Sequence, residues 1–283
     1  VRLCCWTGVR LMSSAKKLLE AAAGNAGGAG LDVAEVFSTF LYEGNGTARS
    51  ITNGIDLAGE GGLVWLKSRS AGGDNYLIDT ERGGDELLIS NSTNASATVD
   101  DYPVGNGTRF DSTGFSIGPG GAINGANVTR ASWTFRKAPK FFDIVTYTGT
   151  GGNQTISHNL GSVPGMIIIK RTDGANDWPV YHRGTNGGTN PEQYATFLND
   201  TSAGIDGTYF NDTAPTSTQF TVGNYTSTNG NGDSYVAYLF AHNNNDGEFG
   251  PDGDQDIISC GSYTGNGSTP AGPIVDLGFE PQW

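Results

Sequence analysis

Cysteine is nearly absent: the chain has three in 283 residues, and two of them are the adjacent Cys4 and Cys5. Cys260 is left as a lone thiol, so no disulfide framework holds the fold, and such usage suits a reducing compartment. Positive charge is scarce too. Lys and Arg total 16 against 29 Asp and Glu, a net charge of −13. That balance excludes the basic surface through which proteins bind nucleic acid or anionic membrane. No apolar run reaches the ~18 residues of a membrane-spanning helix. Catalytic signatures are also missing. There is no G-x-x-x-x-G-K-[ST] phosphate loop, no H-E-x-x-H zinc pair and no G-x-S-x-G nucleophile elbow. The histidines His158, His182 and His242 fall in different stretches without paired spacing. These gaps point away from an enzyme, and no cofactor site is expected.

Glycine, by contrast, contributes 44 residues, about twice the usual share. Asn, Ser and Thr are dense, and aromatic and β-branched residues recur at strand spacing. This is the composition of many short strands joined by tight turns, not of a disordered chain. The ten Asn-x-Ser/Thr sequons, Asn45, Asn106 and Asn266 among them, follow from that composition.

The stretch 141–173, FFDIVTYTGTGGNQTISHNLGSVPGMIIIKRTD, sets the pattern. An alternating strand ends in a glycine turn, a second short strand over 155–160 ends in a proline turn, and Met166–Lys170 forms a buried apolar strand. Leu41–Ser70 carries the same unit, and Ser262–Trp283 begins it again. Tyr42 to Tyr147 spans 147 − 42 = 105 positions, and Tyr147 to Tyr263 spans 263 − 147 = 116. Phe115 to Phe220 and Trp133 to Tyr238 repeat the offset of 105. Such periods match whole β-domains in tandem and exceed those of solenoid repeats. WPVYHRG (178–184) aligns with YLIDTERG (76–83), which sets Arg183 beside Arg82. The glycines of YEGNG, YTGTGG and YTGNG lead into strands, and read as turn residues that supply positive φ.

Residues 1–37 form an N-terminal arm. Residues 1–11 read as upstream or tag sequence before Met12, a helix is expected over 13–23, and a glycine-rich linker runs over 24–30. Leu18, Leu19 and Ala22 share one side of that helix and are the expected assembly anchor. The alternative is that the arm folds onto its own first domain. A first β-sandwich occupies 38–138 and a second 139–245. Residues 246–283 hold an acidic joint and the start of a truncated third repeat.

In that joint, Asp252, Asp254 and Asp256 have alternate spacing and oxygen ligands that suit Ca²⁺. The twelve-residue loop with its closing Glu is missing, and a solvated acidic linker is the stronger reading. Asp74, Asp79, Glu81, Asp85 and Glu86 offer carboxylates for glycoside hydrolysis, with no pair singled out. Tyr102, Tyr181, Tyr209 and Tyr225 sit among Asn, Asp and Gly, as aromatic rings do on sugar-binding surfaces. Tyr76 and Trp178 read as core instead.

The segments ITNGIDLAGEGGLVWLKSR, FFDIVTYTGTG, ISHNLGSVPGMIIIKRTD, WPVYHRG, NDTAPTSTQFTVG and CGSYTGNGS…VDLGFEPQW resemble structural proteins of marine tailed phages. Those are tail-fibre-like or virion proteins with concanavalin-A/laminin-G-like domains, and the resemblance covers most of 36–283. It implies a virion location, in a tail fibre or appendage subunit, and supplies no catalytic or binding residue. In that family such domains continue beyond a Phe-Glu-Pro-Gln-Trp segment, as at 279–283. Strand alternation and glycine turns independently predict an all-β chain of tandem antiparallel β-sandwiches, jelly-roll or lectin-like, behind a helical arm. The expected partners are other virion proteins through the arm, host surface polysaccharide, and further copies of the chain in a homo-oligomer, a trimer by the habit of fibres. A glycan-binding capsid-decorating protein or bacterial adhesin is the second reading, and a polysaccharide-degrading enzyme the third.

Overall fold

The computed structural model describes residues 30–70, 72–98, 108–268 and 271–281. The expected helix over 13–23, its anchor residues Leu18, Leu19 and Ala22, most of the glycine-rich linker, and Tyr102 lie outside the described residues.

The first half holds β1 (Phe37–Glu43), β2 (Arg49–Thr52), β3 (Gly62–Ser68), β4 (Asn75–Asp79), β5 (Glu86–Ile89), β6 (Ala97–Thr98), β7 (Arg109–Asp111), β8 (Gly114–Ile117) and β9 (Thr129–Arg136). The second holds β10 (Phe142–Thr148), β11 (Gln154–Ser157), β12 (Pro164–Arg171), β13 (Pro179–His182), β14 (Tyr194–Phe197), β15 (Ile205–Asp206), β16 (Gln219–Val222) and β17 (Ser234–Ala241). Ladders between these strands are all antiparallel. Two six-stranded sheets result, ordered β1-β9-β3-β4-β5-β6 and β10-β17-β12-β13-β14-β15, and β2-β8-β7 and β11-β16 form two small sheets. Among the described residues four one-turn α-helices accompany them, α1 (Val33–Val36), α2 (Leu57–Glu60), α3 (Gly121–Asn124) and α4 (Thr226–Asn229), with three short 3-10 turns in the second half. Single turns are too short to leave a helical period in the sequence, so pattern reading passes over them.

The apolar strands explain the layering. In β3, Leu63 joins the central core, while Val64 and Leu66 face the core shared with β2 and β8. In β12, Ile168 joins the central core, and Ile167 and Ile169 face the core shared with β11 and β16. Both large sheets are thus buried on both faces, which requires near-continuous hydrophobic strands rather than alternating ones. The order is small sheet, large sheet, large sheet, small sheet, with a sandwich-like core between each pair of layers. The central core belongs to both halves. It packs Phe37, Leu77 and Phe135 against Phe142, Trp178, Tyr238 and Phe240, and the Phe135 ring lies 5.4 Å from both Phe142 and Phe240.

The repeated Tyr-x-Gly element has a physical cause in each half. Tyr42 donates its hydroxyl to Ile123 O at 2.7 Å, and Tyr147 donates to Thr228 O at 2.6 Å. Gly44 and Gly149 lie so close to the opposite turn that an added Cβ would strike Gly125 O and Gly230 O. The fully buried Asn124 and Asn229 then close each turn. Asn124 accepts from Asn45 N and donates to Thr47 O and Gly118 O, and Asn229 accepts from Thr150 N and donates to Gly152 O and Gly223 O. Positive φ is needed two residues later, at Gly46 and Gly151. The first glycine of each element therefore serves close approach, not the turn conformation expected from sequence. One position differs in chemistry but not in task. Arg130 in β9 and Tyr235 in β17 face Tyr42 and Tyr147 across their ladders, and donate to Gly121 O and Thr226 O.

The acidic stretch after β17 keeps Asp246, Glu248, Asp252 and Asp254 exposed but is anchored by one aromatic ring. Phe249 is buried, bridges to Leu31 and Gln255, and sets its ring edge-on to Phe141. Lys140 reaches it by an ion pair to Glu248 at 2.7 Å.

Gly149→Ala should lower unfolding stability by about 1–3 kcal/mol, because the methyl group has nowhere to go. Gly152→Ala, where a Cβ meets nothing within 4 Å, should be near neutral. Urea unfolding of the two variants checks this, and equal stabilities would refute the close-approach role.

Candidate functional site

The carboxylates that sequence offers for hydrolysis do not converge on a cleft. Asp79, at the end of β4, has no exposure to water. Its Oδ2 accepts from Tyr238 OH at 2.8 Å and from Arg82 Nε at 2.7 Å, and its Oδ1 accepts from the backbone N–H groups of Glu81 and Arg82. Tyr238 comes from the other half, so this buried pair spans the central core. Glu81 is bound to Lys137 at 2.6 Å, Glu86 accepts from Ser96 and Thr98, and Asp74 accepts from Asn91. The ladders also correct the alignment of Arg82 with Arg183. Leu77 stands opposite Trp65 as Val180 stands opposite Ile168, which pairs Asp79 with His182 and leaves Arg82 without a counterpart.

A second polar pin lies beside the first. The polar segment 92–96 docks on the second half. Trp178 Nε1 donates to Ser92 O at 2.8 Å, Lys170 Nζ donates to Thr93 O at 3.0 Å and Asn176 O at 2.9 Å, and Ser96 N donates to Thr172 O at 2.7 Å. Lys170 and Trp178 are both fully buried, as the core reading of Trp178 requires, with the ammonium 5.8 Å from the ring centroid. Burial pushes the Lys170 ammonium down from 10.5 to about 8.

Cys260 is tied to Ala241 O, and burial pushes its thiol up to about 11, which makes it a poor nucleophile. His182 and Cys260 line one side of a cavity of about 520 Å³ at the rim of the central core, beside Phe37, Trp65, Met166 and Phe279. The three aspartates of the acidic stretch do not gather. Asp252 and Asp254 are exposed, while Asp256 is spent on the N–H groups of Asn245 and Gly247. No group of three metal-ligating side chains occurs among the described residues. Gly253, with φ +70, turns the chain between Asp252 and Asp254.

Among the glycan candidates, Tyr181 is withdrawn: at 4% exposure it packs edge-on against Phe210 inside the outer core of the second half. Its strand β13 is buried on both faces, so alternation could not mark it as surface. Tyr209 and Tyr225 are brought together instead. Their rings stack at 3.9 Å and 9°, and Phe197 braces Tyr209 edge-on at 5.7 Å. Tyr225 remains 38% exposed and forms the outer face of the pair. Burial first, then the neighbouring Tyr225 and Asp177, raises the Tyr209 phenol above its ordinary value. A rigid, braced ring with exposed Asn224 and Thr226 beside it can stack the apolar face of a sugar. Sequence reading missed Asn124 and Asn229. Their signal is an Asn-Gly pair recurring at 229 − 124 = 105, the offset of the whole repeat.

Asp79→Ala should cost about 3–5 kcal/mol, because Arg82 is left buried and unpaired. Tyr238→Phe should cost only about 1–3 kcal/mol. Denaturant titration of both and of the double variant should give clearly non-additive losses. Lys170 generates a pH effect. Its folded pKa lies below the ordinary value, so the unfolded chain holds more protons between pH 8 and 10.5 and stability rises with pH across that window. Lys170→Met should remove that rise; equal slopes in thermal melts of the two proteins would exclude it.

No curated protein and no solved structure matches the chain. A family model described as "Domain of unknown function (DUF7483)" matches residues 32–283, from α1 through both large sheets to the C-terminal segment. The chain belongs to that family.

Proposed function

We propose that the chain is a non-enzymatic structural component of a phage particle, a tail-fibre or appendage subunit. In this reading it consists of tandem jelly-roll or lectin-like β-sandwich units carried on an N-terminal arm, and its loops face host-surface glycans. The observation that carries the reading is where the reactive-looking side chains go. Asp79, Arg82 and Lys170 are consumed in pins that join the two halves, and Glu81 and Lys137 in an ion pair with each other, as a structural shell component requires and an active site does not. The resemblance of the repeated segments to virion proteins supports the same assignment. Association into a symmetric oligomer, a trimer in a fibre, would cover the open edges β1 and β10.

The second reading, a glycan-binding capsid-decorating protein or bacterial adhesin, is favoured by the stacked pair Tyr209–Tyr225. One experiment separates the two. Gold-labelled antibody against residues 38–283 should mark tail or neck filaments of purified particles. Label spread over the head moves the assignment to decoration, and unlabelled particles overturn a virion role. In parallel, Tyr225→Ala should weaken binding to host polysaccharide about three- to tenfold, in line with the loss of one aromatic stack, without lowering the melting temperature.

A further inference from the structure

Two imidazoles at the rim of the central core share one hydrogen-bond pattern. His182 Nδ1 accepts from Gly184 N at 3.0 Å, and His242 Nδ1 accepts from Cys260 N at 3.0 Å. An accepting Nδ1 leaves the ring proton on Nε2, so each ring is neutral. A second proton has to occupy the accepting lone pair, and the backbone hydrogen bond must break to admit it.

Both bonds fasten the same piece of chain. A strap over 255–261 forms one wall of the cavity of about 520 Å³, and its Ile257 and Ile258 pack against the central core. Asn243 holds this middle part. Its Oδ1 accepts from Ile257 N at 3.0 Å and Ile258 N at 3.2 Å, and its N–H donates to Ile258 O at 2.9 Å. None of those three bonds involves a titratable group. The far end is held by His242 on Cys260 N and by the Cys260 thiol on Ala241 O at 3.4 Å. It lies on bare backbone: a Cβ added at Gly165 would come within 2.8 Å of Cys260 Sγ, and one at Gly184 within 3.0 Å of Ser262 Oγ. His182 fixes the second of these glycines. The end over 260–262 therefore depends on two imidazole lone pairs, and 257–258 on none.

The groups around the pair resist protonation in place. Burial first, then Arg183 and His182, push the His242 imidazole down, while Asp246 and Asp256 pull it up, and it ends below its ordinary 6.5. Burial and then Arg183 lower His182 as well. Neither carboxylate is idle: Asp246 accepts from Asn244 N, and Asp256 from Asn245 N and Gly247 N.

We propose that His242 and His182 form an acid-operated latch. Protonation at Nδ1 releases Cys260 N and Gly184 N, the strap swings out at its Cys260 end about the Asn243 hinge, and the apolar cavity opens to water beside Met166. Both closed-state values lie below 6.5, so the open form binds more protons. The closed strap is fully favoured above pH 6.5 and loses stability as pH falls through the closed-state values. That window is separate from the alkaline one of Lys170.

The Cys260 thiol reports the latch directly. In the full chain carrying Cys4→Ser and Cys5→Ser it is the one thiol left, and its reaction with dithiodipyridine is timed against free cysteine at each pH. Between about pH 7.5 and about pH 5 the relative rate should rise about tenfold, the scale of one or two lost hydrogen bonds, with the far-UV circular dichroism unchanged. In the chain that also carries His182→Asn and His242→Asn, an amide oxygen takes the place of Nδ1, accepts the same N–H groups and never titrates. That chain should react slowly at both pH values. A relative rate indifferent to pH overturns the latch, as does a rise of the same size in the double asparagine variant. So does a rise that coincides with loss of the far-UV signal, since global unfolding then exposes the thiol.

Discussion

A carboxylate withdrawn wholly from water persists only if its partners are already in place, and at Asp79 those partners come from both halves of the chain. Arg82 supplies the charge from the adjoining turn, and Tyr238 supplies a hydroxyl from across the central core. Three hydrogen bonds to the carboxylate come from the first half and a fourth from the second, so the central core and the pin stabilise one another. Lys170 and Trp178 work in the reverse direction, drawing carbonyls of the 92–96 segment onto the second half. Apolar area drives the large sheets together, and these polar contacts fix the register in which they meet.

Much of this architecture is legible in the sequence. The strands around Leu63–Lys67, Glu86–Ile89, Ala131–Phe135 and Met166–Lys170 fall where apolar runs and glycine turns set them. The near-continuous apolar character of β3 and β12 reports burial on both faces, and the two sheets take their strands in the same order. What stays hidden depends on contacts between distant residues. An alignment by similar residues set Arg82 beside Arg183, but hydrogen-bond register, not residue type, decides equivalence, and it shifts that match by two. Asn124 and Asn229 look like ordinary turn residues until the tyrosine strand is laid beside them.

The candidate sites divide in the same way. Tyr209 and Tyr225, sixteen positions apart, become one surface only because β16 and the turn before it return the chain to the same spot. Tyr181 shares their polar sequence surroundings and is nevertheless core, since its strand has no outer face. The alternate aspartates of 252–256 have suitable spacing for a cation but gather no ligand set, and one left-handed glycine, Gly253, lies between them. Spacing proposes a ligand set, and backbone direction disposes of it.

The substitution of Arg130 for Tyr235 at matching ladder positions separates what the fold demands from what it merely contains. A cation and a phenol differ in charge, length and shape, yet each delivers a hydrogen to the same backbone carbonyl of its helical turn. The carbonyl sets the requirement, and any donor of sufficient reach can meet it. The two halves can therefore drift apart in charge at that position while keeping one backbone path. A chain that copies its own scaffold is in this way free to give each copy a different electrostatic character.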